Sequence, residues 1–170
     1  MTSITHRGMV IPDSVLQAPT RPNYFPGRLF SADDFRLEQE YLNRKRHLQN
    51  LATLGVGVVT GLAVSEEPGD TGVIVSAGYA IDAVGREIIV PADVCIAWPT
   101  ADQRPPRQWG VMIEYAEHET NLVSTTGGSM ANTVSEGYAI AVITERPGRD
   151  DSRVVLRRYG EARSGRTRSG

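Results

Sequence analysis

The sequence predicts an α+β chain: one N-terminal helix followed by a mainly antiparallel β-sheet or small β-sandwich, with an extended arm before it and a flexible tail behind. Three observations carry that prediction. A complete helix start signal stands between Phe30 and Phe35, apolar residues recur in extended runs from Leu62 onward, and no helical period returns between those runs. A chain that runs helix first and strands afterwards does not alternate as an α/β fold would.

Residues 1–22 hold Pro12, Pro19 and Pro22 with little periodicity, so they read as an extended arm. The helix start follows a tight turn around Gly27. With Ser31 as N-cap, its hydroxyl can accept from the Asp34 amide while the Asp34 carboxylate reaches back to the Ser31 amide, a short-side-chain capping box. Phe30 before the cap and Phe35 at the fourth helical position have the spacing of a hydrophobic staple. Asp33 and Asp34 add negative charge at the positive end of the macrodipole. These signals predict a helix over about 32–51.

The helix has two apolar sides. At about 100° per residue, Leu37, Tyr41, Leu48 and Leu51 fall within roughly 80° of one another, while Phe35 and Leu42 point the opposite way. One reading has the same chain covering both sides, the commoner fate of apolar residues. The other has the Phe35 and Leu42 side, lined by Glu38, Gln39, Lys45 and Arg46, meeting another subunit.

Gly55, Gly57 and Gly61 then end the helix, and the period changes. Leu62-Ala63-Val64 opens a strand, Glu67-Pro68-Gly69-Asp70 is turn chemistry, and Val73-Ile74-Val75 resumes an extended run towards Tyr79 and Ile81. Asp82-Ala83-Val84-Gly85 reads as a hairpin connection into Glu87-Ile88-Ile89-Val90. Trp109, Val111, Ile113 and Tyr115 alternate, as do Tyr138, Ile140 and Val142. Val154-Val155-Leu156 reads as a last strand, making six or so in all. Between the clearer runs, Glu117 to Ser135 is rich in Thr, Ser, Gly and Asn and reads as a long functional or mobile loop.

With 170 residues, 40% of them hydrophobic and 22% charged, the chain suits one well-packed soluble domain. That domain is expected over 23–160, with its β body at about 61–158, ahead of a flexible basic tail at 161–170 carrying Arg163, Arg166 and Arg168. The net charge of −2 gives the body no pull towards nucleic acid or anionic lipid. The single Cys95, between Val94 and Ile96, reads as a buried strand thiol and precludes an intrachain disulfide. No secretory signal and no membrane-spanning run is visible. Synthesis in the cytoplasm is expected, with any extracellular life reached by another route such as lysis.

Catalytic patterns find little footing. Asp70-Thr71-Gly72 matches the short signature of aspartic proteases, yet Glu66, Glu67, Pro68 and Gly69 precede it where an apolar strand should. Gly55, Gly57 and Gly61 lack the strand-turn-helix order of a dinucleotide loop. His6, His47 and His118 are scattered, and the adjacent side chains of Glu117-His118-Glu119 would point to opposite faces of a strand, so no metal or other cofactor is expected. Trp98 and Trp109 could line a carbohydrate platform together with the Glu117 to Ser135 loop.

Several segments form one pattern. They are Tyr24-Phe25-Pro26-Gly27-Arg28-Leu29, Ala32-Asp33-Asp34-Phe35, Glu38-Gln39-x-Tyr41, Lys45, Leu48, Asn50, Gly57-Val58-Val59-x-Gly61-Leu62-x-Val64, Gly78-x-Ala80-Ile81-Asp82-x-x-Gly85-Arg86-Glu87-Ile88 and Ser135 to Val142. The pattern resembles small proteins and tail-fibre N-terminal regions of phage tails and phage-tail-like contractile injection systems. The resemblance implies a structural subunit at the baseplate or the fibre-attachment region, and it brings no catalytic residues. Where relatives often carry aromatic, His or Cys residues near the helix exit, Thr53, Leu54, Val56 and Thr60 stand here, so no ligand role is carried over to them.

The expectation is therefore a non-enzymatic assembly subunit whose neighbours are baseplate, tube, sheath or fibre proteins, or copies of itself. Its interface residues would be Tyr24, Phe25, Arg28, Phe30, Phe35, Leu42, Lys45 and Arg46, held by caps and turns at Ser31, Asp34, Gly27, Gly57, Gly61 and Gly85. The alternative is a carbohydrate- or receptor-binding module of a tail fibre, and the third reading is an aspartic-type hydrolase.

Overall fold

The computed structural model describes residues 5–6, 9–10, 16–69, 71–97, 109–143 and 152–159. Strands β1 (Thr5–His6) and β2 (Met9–Val10) pair with each other, so part of the expected arm is paired strand. The helix α1 spans Ala32–Thr53, two residues past its expected end. After it come β3 (Gly57–Gly61), β4 (Val64–Glu66), β5 (Gly72–Val75), β6 (Gly78–Ile81) and β7 (Glu87–Val90). β8 (Val94–Ala97), β9 (Trp109–Thr125), β10 (Gly128–Ile143) and β11 (Val154–Tyr159) complete the described elements.

This is an α+β fold in which every strand pairing among the described residues is antiparallel. Three three-stranded sheets form, in the orders β3-β6-β7, β4-β5-β8 and β10-β9-β11. They close on one core. Val73, Val75, Ala80, Ile88, Val111 and Ile113 are wholly buried there, joined by Leu62, Val64, Val90 and Val154. Each of the Val, Leu and Ile side chains stabilises the body by about 1.5–3 kcal/mol relative to leaving it in water. β3 to β8 are only three to five residues long, so their short ladders depend on that packing.

Three expectations need correction. Glu117 to Ser135 is not a loop: it is the outer part of a two-stranded hairpin, β9–β10, whose turn lies at Thr126 and Gly127. Its polar residues lack the usual alternation because neither of its sides is buried there, so nothing selects an apolar face. Gly57 to Gly61 is not merely a helix exit, since it pairs with β6 as β3. Cys95 pairs opposite Ile74 on β8 but is exposed, because the inward positions of this strand fall on Val94 and Ile96. Asp70, Trp98 and the basic tail lie outside the described residues, as does the side chain of Trp109.

Candidate assembly interface

The first turns of α1 are held by a local network built on the predicted cap. The Asp34 amide donates to Ser31 Oγ at 3.4 Å, and the Ser31 amide donates to Asp34 Oδ2 at 3.0 Å, which completes the capping box. These bonds to Ser31, helped by the Arg28 guanidinium paired with Asp34, hold the Asp34 carboxyl below the usual carboxylate range. Arg28 also donates to the Asn23 carbonyl, so one guanidinium ties the incoming chain to the helix. Pro26-Gly27 makes the bend: the Arg28 amide donates to the Phe25 carbonyl at 3.2 Å, and Gly27 takes φ +86°, as the third residue of a type II turn must.

Aromatic side chains stack along the outside of that network. The Tyr24 and Phe30 rings meet edge-on with centroids 5.3 Å apart, and Phe30 and Phe35 lie 6.0 Å apart, the predicted staple. The Tyr24 hydroxyl donates to Glu38 Oε2 at 2.7 Å, and that bond raises its pKa. Among the described residues nothing else packs on the cluster. Leu29 is 91% exposed, Phe35 57% and Leu42 59%, and Tyr24, Phe25 and Phe30 are also exposed. Of the 22 helical residues only Asn50 and Leu51 are buried.

α1 therefore meets the β body only near its end, at a joint centred on the β6–β7 turn. Gly85 in that turn lies so close to the helix that a Cβ there would stand 2.4 Å from the His47 carbonyl oxygen, and the Asn50 side chain donates to the Gly85 carbonyl at 3.0 Å. The turn itself is wound around Asp82. Its buried carboxylate accepts from the amides of Val84 and Arg86, both at 2.9 Å, and pairs with Arg86 Nε at 2.6 Å. Arg86 in turn lies 4.6 Å over the Tyr115 ring, which links the joint to β9. Burial, reinforced by a hydrogen bond to Glu117, pushes the Tyr115 phenol well above its ordinary range. Arg46 pairs with Glu87 at 2.9 Å and approaches Glu136 at 4.0 Å, so this candidate interface residue braces the helix against β7 and β10. His47 is half-buried in the same place. Desolvation, aided by Arg46, lowers its pKa, against the opposing pull of Asp82 and Glu87.

Beyond the joint, two elements project. From Ala32 to Arg46 the helix runs about 22 Å, and from Glu117 to Thr125 the hairpin runs about 30 Å. Between them is an open cleft of about 700 Å³, lined on the helix by Gln39, Leu42 and Asn43 and on the hairpin mainly by Asn132, Val134 and Glu136. The other side of the helix is lined differently. Gln17 and Pro19 of the arm share a groove with Tyr41 and Leu48, and Lys45 sits 5.5 Å over the Tyr41 ring, so Lys45 belongs to this side and not to that of Leu42.

The predicted site residues thus separate into two groups. Tyr24, Phe25, Phe30, Phe35 and Leu42 form an outward apolar strip, while Arg28, Ser31, Asp34, Gly27 and Gly85 shape it and Arg46 anchors it. Gly57 and Gly61 stand apart as the two ends of β3. The sequence reading did not single out the joint residues His47, Asn50, Asp82 and Arg86, nor the exposed hairpin residues Leu122, Val123, Met130 and Val134. Asn50, Asp82 and Arg86 do stand in the quoted pattern, which was the available signal. Among the described residues no group of three or more His, Cys, Asp or Glu side chains could hold a metal ion, and no helix is long and apolar enough to cross a membrane.

Fold and surface together define a class: an α+β chain that presents a helix and a hairpin arm away from a small β core. Compared with known proteins, the chain matches no family model and no curated relative.

Proposed function

We propose that this chain is a non-enzymatic structural subunit of a contractile, phage-tail-like injection particle, acting as an assembly and attachment joint at the baseplate or fibre-attachment region. One observation carries the reading: the helix that holds part of the family-like pattern buries only Asn50 and Leu51, while Leu29 and Phe30 before it and Phe35 and Leu42 on it lie open. Apolar strips of this kind, rimmed by polar residues, mark surfaces that engage another macromolecule. The charged residues near the strip are already engaged within the chain, Arg28 with Asp34 and Arg46 with Glu87, which leaves the strip itself for a partner.

In this reading the chain is made in the cytoplasm and leaves the cell only as part of the particle. Its neighbours are baseplate, tube, sheath or fibre proteins. The test is incorporation: Phe35→Glu combined with Leu42→Glu should leave the β body folded and remove the chain from purified particles, counted by mass spectrometry against a tube or sheath protein. Incorporation at the wild-type level rejects the strip as the attachment surface. Binding of the isolated chain to a glycan array, lost on shortening the β9–β10 hairpin, would replace this reading with a receptor-binding one.

A further inference from the structure

The outer part of β10 is an unpaired sheet edge that opens onto the cleft beside α1. Among the described residues β10 pairs only with β9; its lower part near Glu136 and Tyr138 borders Glu87 and Ile89 of β7, and the stretch Ala131–Glu136 faces Gln39, Leu42 and Asn43 of α1 across the open cleft with no strand paired to it. Natural edge strands are normally blunted by Lys, Pro, inward charges or bulges, because their open amides and carbonyls template pairing with another chain. β10 has none of these. Glu136 is its sole charge, it contains no Lys, Arg or Pro, and its pairing with β9 keeps one register, with a single skipped pair where Asn132 faces Asn121 at φ +54°. The same stretch exposes apolar side chains, with Met130 62% and Val134 58% exposed.

We propose that the Gly128–Glu136 edge pairs antiparallel with the same edge of a second copy of this chain, about a two-fold axis at Asn132. The order of residues favours this self-pairing. Centred on Asn132, Met130 falls opposite Val134 of the partner subunit, Ala131 opposite the partner's Thr133, and Ser129 opposite the partner's Ser135, each match occurring twice as a two-fold interface requires. Glu136 falls opposite the partner's Gly128, so no like charges meet. The register with β9 adds to the match. Val123 faces Met130 on its own hairpin, so the joined four-stranded sheet carries Val123, Met130 and the partner's Val134 side by side on one face. Asn132 meets its own copy on the axis, where two amide side chains can exchange hydrogen bonds.

This edge shares the cleft with Leu42 but not with Phe35, so its test separates it from the rest of the α1 strip. Light scattering of the full chain across a concentration series should rise from the 18.5 kDa monomer mass to twice that value. Met130→Lys with Val134→Lys sets like charges opposite at both matched pairs and should weaken dimerisation roughly tenfold. Met130→Lys with Val134→Glu sets opposite charges there and should restore it, as no other register would. After Cys95→Ser, an Asn132→Cys variant should oxidise to a disulfide-linked dimer, whereas Ser129→Cys should not, because only the axial residue meets its own copy. Phe35→Glu alone, which lies outside the cleft, should leave this dimer intact whatever it does to incorporation. Circular dichroism matching the native chain shows that the exposed-site variants remain folded. A monomer mass at every concentration, or equal association of the two charge variants, overturns the proposal.

Discussion

The backbone at His47 runs against Gly85 with no room for a side chain between them: a Cβ on Gly85 would lie 2.8 Å from His47 Cα. Gly85 also has φ +93°, a conformation that L side chains rarely adopt. Helix and turn, far apart in sequence, are docked backbone to backbone at this one position.

Gly85→Ala should therefore undock the helix. The left-handed backbone alone costs about 1–3 kcal/mol with a side chain present, and the clash with His47 adds to it. Denaturant unfolding should show the loss, and hydrogen exchange at 45–52 should rise well above that at β5 and β9.

Asp82→Ala should be among the most destabilising single changes in the turn. It leaves the amides of Val84 and Arg86 and the Arg86 guanidinium without their buried acceptor. Removing one member of such a pair costs about 3 kcal/mol or more, readable as a lowered urea midpoint. An unchanged midpoint would contradict the role assigned to this carboxylate.

His47 gives the joint an acid limit. Its pKa is lowered in the folded chain, so below the unfolded value of about 6.5 the unfolded state binds a proton that the folded state resists. Stability contributed by His47 is complete above that pH and falls as the pH drops towards the folded pKa. Unfolding free energies measured from pH 8 to 5 should show this decline, and His47→Gln should flatten it.

Ser31→Ala should cost about 1 kcal/mol through the lost cap and should fray the helix start, measurable as reduced ellipticity at 222 nm. The lowered pKa of Asp34 has the opposite pH sign to that of His47: its contribution is present above the ordinary Asp value of about 3.9 and is lost as acid protonates it.

The outward strip should be silent in isolation. Phe35→Glu and Leu42→Glu remove no buried group, so each should change stability by no more than about 0.5 kcal/mol. A large destabilisation would mean that the strip is already covered.

What the sequence made legible was local. The capping box and staple lie within the six residues from Phe30 to Phe35, and the Asp82 to Gly85 turn within four, so their chemistry could be read directly. The two-sided helix was legible for the same reason, because periodicity alone distinguishes Leu51 from Leu42. The joint was not, since no rule of spacing connects His47 to Gly85 or Arg46 to Glu136. The hairpin misled because its outer residues face water on both sides, and Thr120, Asn121 and Thr133 join its strands through side-chain hydrogen bonds that resemble loop composition when read in one dimension. Cys95 misled because flanking apolar residues mark the inward face only if the strand's phase is known.

The β9–β10 ladder keeps a single register from Gly110 opposite Ile143 at its root to Thr125 opposite Gly128 at its tip. The ladder skips one pair, Asn121 opposite Asn132, and Asn121 there takes φ +54°. A pull at Gly127 therefore finds its first give at Asn121, so the outer third can swing while the root around Val111 and Ile113 stays still.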